Sequence, residues 1–323
     1  MSADTAPGAI PAEQLEQYRR ELVGYCYRML GSIYEAEDAV QDTMLRAWRA
    51  LATFEDRTGL RPWLYRIATN VCIDMLKGRS RRALPTDVAP VATGELRRGG
   101  ARPEATWIQP APDSLILPPA GDPAERVVAR ESVRLAFIAA LQHLAPRQRA
   151  VLILRDVLRW RAAEVAMLLE TSADAVNSAL RRARAALAAI DRDSAPSQPA
   201  AGDRELLAAY IDAFERNDVH ALVGLLRDDA ILEMPPFELW MQGPHDIRRW
   251  LLAVDAFGQE RLTPVNANAS PAVAVYRPQA PGREPTAFSI QVLDVVGGRI
   301  SAIHVFLDPA LFELFGLPAD PVS

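Results

Sequence analysis

The sequence predicts a multidomain chain in which two all-α modules precede an α+β domain. Three observations carry that expectation. Helical periodicity fills residues 13–82 and 125–190, prolines cluster between them, and the net charge changes sign along the chain. The 323 residues are 50% hydrophobic and 24% charged, which supplies apolar material for real cores and excludes wholesale disorder. No run approaches the ~18 apolar residues that span a bilayer. The opening MSADTAPGAIPAEQ has neither a basic n-region nor an apolar h-region, so a cytoplasmic protein with no membrane contact is expected. Cys26 and Cys72 are too few and too far apart for a disulfide framework or a zinc site.

The overall charge of −5 hides an asymmetry. Residues 125–192 carry +5 and residues 193–323 carry −9. A basic segment beside an acidic one suggests an anion-binding module tethered to something that repels anions or competes for the cationic face. Eight of the 25 prolines fall within 83–124, so that stretch reads as a long linker without regular elements. A shorter break follows at SAPSQPAAG, 194–202.

In the first module, residues 13–30 and 35–51 have helical spacing. Ala36, Val40, Met44, Ala47 and Leu51 form one buried stripe. Asp38, Gln41, Asp42 and Leu45 share another face, with Trp48 beyond. An acidic face is often merely solvated, but an exposed Leu and Trp continuing it are more typical of a docking surface. A third helix spans about 62–77, with Pro62 in its first turn and Leu64, Ala68, Val71 and Met75 as its core stripe. Arg66, Asn70 and Lys77 line another side, near Trp63 and Tyr65, and Arg79, Arg81 and Arg82 follow. Cations there suit the helix dipole. Interleaved with aromatics and an amide, they also suit a single nucleic-acid strand.

The second module begins with one expected helix over 125–145, then another from Pro146. Helices over 161–169 and 173–188, joined by a tight turn, form a helix-turn-helix. Thr171 and Asp174 fit a capping box. Val176, Leu180, Ala183 and Leu187 would be buried. Ser172, Asp174, Asn177, Ser178, Arg181 and Arg182 would face outward, as residues that reach base edges and phosphates. A generic helical hairpin is the plain alternative, and the local charge of +5 favours DNA.

Taken together, AEDAVQDTMLRAW, RPWLYRIATNVCIDMLKGRSRR and LAPRQRAVLILRDV…AAEVAMLL…SADAVNSALRRARAAL closely resemble an extracytoplasmic-function (ECF) sigma factor of bacterial RNA polymerase. The resemblance makes 13–82 a region 2 bundle and 125–190 a region 4 helix-turn-helix. It implies that Asp38, Gln41, Asp42, Leu45 and Trp48 dock on the β′ clamp helices of core RNA polymerase. It implies that Arg61, Trp63, Arg66, Asn70 and Lys77 capture the melted −10 strand, and that the helix-turn-helix reads −35 promoter DNA. The 83–124 linker would thread the polymerase interior. Glu170 stands where the family's turn glycine is common, at a cost of about 1 kcal/mol, and Arg161 stands at the usual serine cap.

Residues 203–323 show helices at 203–218 and 244–257, then strand-like runs at 272–277, 286–295 and 299–307, with Gly297-Gly298 as a hairpin signal. The pattern resembles a SnoaL-like α+β cone with an apolar pocket, and WIQPAPD at 107–113 resembles the linker motif of sigma factors that carry such an extension. The resemblance implies regulation in cis. Trp240, Tyr276 and His304, with Glu233 and Asp255, are candidate pocket residues, though no two pair as acid and base from spacing. No metal, cofactor or enzymatic activity is expected, and the free protein is expected to be a monomer. A ligand of the pocket is left open. A pocket enzyme or ligand-binding regulator with an attached DNA-binding module is the competing reading, but it has no use for the polymerase-docking and strand-capture helices. The acidic domain, close to a basic one, is expected to restrain DNA binding in the free protein.

Overall fold

The computed structural model describes residues 13–51, 54, 59–92, 100–119, 122–190, 202–253, 260–280 and 282–321. The chain divides into two compact units, one of 1–81 with 114–192, the other of 82–113 with 193–323.

The first unit is helical. It opens with α1 (Glu13–Glu16), α2 (Arg19–Leu30), α3 (Ile33–Ala50) and α4 (Leu60–Leu76). Gly31 at φ +72° ends α2, its N–H returning to the Tyr27 carbonyl at 2.8 Å. Ser32 then caps α3 by accepting from the Glu35 N–H. Of the expected stripes, Ala36, Val40, Met44 and Ala47 of α3 and Leu64, Ala68 and Val71 of α4 are buried, while Leu51 and Met75 are half-buried; Tyr25 and Cys26 of α2 and Cys72 of α4 complete the core. Tyr25 and Thr69 share a hydroxyl hydrogen bond of 2.7 Å inside that core.

The helix expected over 125–145 is two. After α5 (Pro85–Val88) and α6 (Asp113–Ile116) come α7 (Pro123–Glu131) and α8 (Leu135–Gln142). Ser132 falls at the break, buried, where its hydroxyl accepts from Arg28 Nε at 3.0 Å and donates to the Ala129 carbonyl. Next come α9 (Pro146–Leu152), a π-helical turn over Ile153–Val157, α10 (Ala162–Leu168) and α11 (Ala173–Ile190). Glu170 takes φ +52° in the turn between α10 and α11, the left-handed conformation in which a side chain carries strain. The cap of α11 is Ser172, whose hydroxyl accepts from the Ala175 N–H, and not Thr171. Its buried stripe of Val176, Leu180 and Ala183 is as expected.

Buried arginines join the two halves of this unit. Arg149 of α9 donates to Met29 O at the end of α2, to Gln142 Oε1 at 2.6 Å, and to the Gln142 and Leu144 carbonyls. Burial pulls its pKa down to about 10, so it stays charged at neutral pH, held by neutral acceptors. Gly24 of α2 is a glycine because a Cβ there would lie 2.6 Å from the Ile116 carbonyl.

The second unit carries α12 (Asp203–Glu215), α13 (Val219–Gly224), β1 (Leu226–Glu233), β2 (Trp240–Gln242), α14 (Pro244–Ala253), β3 (Arg261–Ala267), β4 (Ser270–Pro278), β5 (Pro285–Val296), β6 (Arg299–Phe306) and α15 (Leu311–Leu314). The strands form one sheet ordered β2-β1-β6-β5-β4-β3. The expected meander accounts for β4, β5 and β6. β1, paired parallel to β6, makes the sheet mixed. Helices α12, α13 and α14 cover one face through Tyr210, Phe214, Leu222, Ile247 and Trp250, which pack with Leu232, Val273, Leu293 and Ile303.

The linker is not without structure. Residues 82–113 pack within the second unit, with α5 and a 3-10 turn at Glu104–Thr106, and Trp107, Ile108, Gln109 and Ala111 are buried. Proline denies this segment a ladder of its own but leaves its remaining N–H and C=O groups for a neighbour. Arg82 donates to the carbonyls of Glu104 and Trp107, closing the segment on itself. The break at 194–202 lies outside the described residues, except for Gly202.

Replacing Arg149 with leucine leaves four buried acceptors without a donor. The Arg149→Leu variant is expected to lose about 3 kcal/mol of stability, read from its urea-unfolding midpoint by circular dichroism.

Candidate nucleic-acid interface and pocket

On α3 the buried stripe turns the acidic face outward. Asp38 and Gln41 are exposed, and Asp42 pairs with Arg46 at 2.7 Å. Leu45 and Trp48 are 47% and 62% exposed. Large apolar side chains so open to water, set among carboxylates, form a surface suited to a partner.

On α4 the expected strand-capture residues are mostly engaged. Arg61 donates to Glu21 at 3.0 Å and lies 5.4 Å and 5.5 Å from the ring centres of Tyr65 and Trp160. Trp63 stacks on Phe54 at 4.5 Å. Arg66 forms an ion pair with Glu170, in the turn before α11. Lys77 pairs with Asp74 at 2.7 Å, and Asn70 is exposed. Sequence reasoning missed Trp160, which stacks on Tyr65 at 5.0 Å, and His143, which accepts from Arg81. Both lie on the second helical module, so no spacing within the first could have shown them.

On α11, Asp174, Asn177, Arg181 and Arg182 are exposed along one side and Ser178 is half-buried beside them. Ser172 is exposed at the helix start, where its hydroxyl caps the backbone. Arg184 pairs with Asp156 at 2.6 Å.

The second unit has a pocket, open to solvent, between α12–α14 and the sheet. Aromatic Phe214, Trp250 and Phe288 wall it, with Leu232, Met234, Ile303, Val305 and Leu307. Tyr210 and Arg277 are its titratable lining groups among the described residues. Tyr210 donates to Gln291 Oε1 at 2.6 Å, and burial pushes its phenol upward. Arg277 lies 3.9 Å over the Phe288 ring and pairs with buried Glu260 at 3.0 Å.

Trp240, Tyr276 and His304 do not line this pocket, which corrects the expectation. Strand side chains alternate between faces. Ile303 and Val305 face the pocket, so His304 faces away; Met241 and Arg277 likewise turn Trp240 and Tyr276 to the outer face. There, Tyr276 donates to the Pro318 carbonyl and meets Phe312 edge-on at 5.0 Å. Asp255 lies outside the described residues.

The outer face instead binds the linker. Trp240 Nε1 donates to Ala89 O at 2.8 Å, and Ala92 N donates to Trp240 O at 2.9 Å. The Thr86 N–H donates to Glu233 Oε2 at 3.4 Å. Farther along, Arg102 N donates to Pro236 O, and Arg102 pairs with Glu238. Ala111 exchanges bonds with Asn268, and Asp113 accepts from the Ala269 N–H at 2.7 Å. Asn268 and Ala269 form the left-handed β3–β4 turn, at φ +53° and +57°.

Beneath the linker, His304 Nδ1 donates to Glu233 Oε1 at 2.6 Å and Nε2 donates to Asp294 Oδ2 at 3.1 Å. Burial favours the neutral ring, but the Glu233 and Asp294 carboxylates win and hold the His304 pKa up at about 10. An imidazole raised in the fold adds stability that is complete below its unfolded pKa of about 6.5. That stability is lost as pH climbs through about 10. Urea midpoints measured from pH 6 to pH 10 are therefore expected to fall toward the alkaline end, with a shallower fall in a His304→Gln variant.

The Sigma-70 region 2 family matches residues 15–82, the Sigma-70 region 4 family matches 134–187, and the SnoaL-like domain family matches 207–303. The ECF RNA polymerase sigma factor SigG of Mycobacterium tuberculosis (strain ATCC 25618 / H37Rv) is 49% identical over 314 residues, 94% of this chain and 82% of SigG. The probable ECF RNA polymerase sigma factor SigI of the same strain is 27% identical over 307 residues, 92% of each chain. The crystal structure of the Mycobacterium tuberculosis extracytoplasmic function sigma factor SigJ shares the fold, with a TM-score of 0.64 at 22% identity, covering 96% of this chain and 100% of that one. With its acidic helix bearing exposed Leu45 and Trp48, its helix-turn-helix and its pocketed sheet in this order, the chain belongs to the ECF RNA polymerase sigma factors, with a SnoaL-like domain joined to Sigma-70 regions 2 and 4.

Proposed function

We propose that this sigma factor docks on the β′ clamp helices of core RNA polymerase through Asp38, Gln41, Asp42, Leu45 and Trp48. The observation that carries this reading is the exposure of Leu45 and Trp48 along an acidic helical face. Arg61, Trp63, Arg66, Asn70 and Lys77 then hold the −10 strand, and Ser172, Asp174, Asn177, Ser178, Arg181 and Arg182 read the −35 duplex. Those elements lie roughly 25 base pairs apart, about 85 Å along B-DNA at ~3.4 Å per pair. The Arg66–Glu170 ion pair and the tilted Tyr65–Trp160 ring contact hold α4 against the α10–α11 region, which supports the reading that the two proposed readers are packed together in this form. That contact suits a free, stored form, and it parts when the protein engages a promoter.

The C-terminal domain regulates in cis by holding the linker. A segment bonded to Glu233, Trp240 and Asn268 cannot at the same time thread through polymerase. Among the described residues the pocket is walled mainly by apolar and aromatic side chains, and we read the domain as one that binds a ligand and does not catalyse. A sigma factor works beside the chromosome, so the cytoplasm is its proposed compartment. Among the described residues no helix is long and apolar enough to cross a membrane.

Leu45→Arg and Asp42→Arg are expected to weaken core association by a few kcal/mol. Co-elution of the folded double variant with core polymerase, unchanged from wild type, would refute the docking face. Trp240→Phe removes one linker bond and is expected to raise run-off transcription at limiting core enzyme. A fall in transcript would show that the held linker assists.

A further inference from the structure

The pocket and the linker latch are built on the same two strands. β1 turns Leu232 and Met234 to the pocket and Glu233, between them, to the linker. β6 turns Ile303 and Val305 to the pocket and His304, between them, to Glu233. Met234 also leads into the turn whose Pro236 carbonyl accepts from Arg102 of the linker. A pleated strand cannot move one row of side chains without moving the other, and close packing transmits the shift.

We propose that the pocket is a sensor site for a neutral, apolar molecule with a hydrogen-bond-accepting carbonyl, and that its occupancy sets how firmly the linker is held on the opposite face of β1 and β6. This rests on the reading that the held linker restrains the protein. The lining gives the ligand class. Aromatic walls favour a flat apolar body. Arg277 is already neutralised by Glu260, so the site has no net charge to attract an anion. Gln291 is 5% exposed and spends its oxygen on Tyr210, which leaves its amide nitrogen to donate. A donor on an apolar floor calls for an acceptor on the ligand. The ligand shifts the linker only by its different affinity for the held and released forms, and the coupling is reciprocal.

The test uses the full chain and 6-propionyl-2-(dimethylamino)naphthalene, a neutral aromatic ketone whose emission moves to the blue in apolar surroundings. Saturable one-to-one binding is expected, with at least a threefold change in hydrogen-exchange rate for a peptide spanning 84–92, which carries the Thr86 and Ala92 amides. Val305→Phe and Leu232→Phe each fill the pocket and are expected to lose at least tenfold in affinity, together with the exchange change, while keeping the wild-type circular dichroism. Absence of saturable binding, or undiminished binding in whichever filled variant folds, overturns the site. Binding without any change at 84–92 overturns the coupling. Rapid exchange at 84–92 before any probe is added sinks the held-linker reading itself, a result distinct from failure of the site.

Discussion

His304 is 3% exposed, and its charge holds together strands that would otherwise bury carboxylates alone. Glu233 on β1 and Asp294 on β5 flank it from either side, so three neighbouring strands share one imidazolium. Without that cation, burying Glu233 completely would cost several kcal/mol. With it, Glu233 keeps a spare oxygen for the linker amide at Thr86. The outer face of the sheet is thus a polar seam in an apolar domain, and the linker lies where that seam needs covering.

The helical unit uses the same device. Arg28 and Arg149 are buried with no carboxylate partner among the described residues, and burial pulls both down to a pKa of about 10. Backbone carbonyls, the Ser132 hydroxyl and the Gln142 side chain accept from them, while Arg149 Nε has no hydrogen-bond partner among the described residues. Neutral acceptors fix position strictly, since each bond has a direction and a length. The α2 and α9 helices are therefore locked in one register, and the surface contacts of Arg66 and Trp160 follow from it.

A two-faced sheet gives the C-terminal domain a property that neither the pocket nor the latch has alone. The side chains that would touch a ligand and those that touch the linker are sequence neighbours, residues 232–234 and 303–305. One face is apolar, with the pocket between it and its helices, while the other carries the Glu233–His304–Asp294 cluster to which the linker is bonded.

Helical periodicity is local, so the sequence by itself determined the helices, the helix-turn-helix and the outward face of Leu45 and Trp48. A stripe repeating every three or four residues states which side is buried whatever the stripe packs against. Charge runs and proline clusters marked the modules for the same reason. Strand faces are different. His304, Trp240 and Tyr276 are the residue types a pocket would use, yet which face of a strand meets the helices depends on pairing and register, which sequence neighbours do not encode. β1, β2 and β3 escaped notice because their burial comes from partners distant in the chain, as with Leu226 beside Ile300. The linker shows the limit most clearly. Its prolines truly forbid a long helix, but Trp107 and Ile108 are buried beside Ala83, which bridges Trp107 and accepts from the Ile108 amide, and Ala111 is bonded to Asn268 of the β3–β4 turn, 157 residues away.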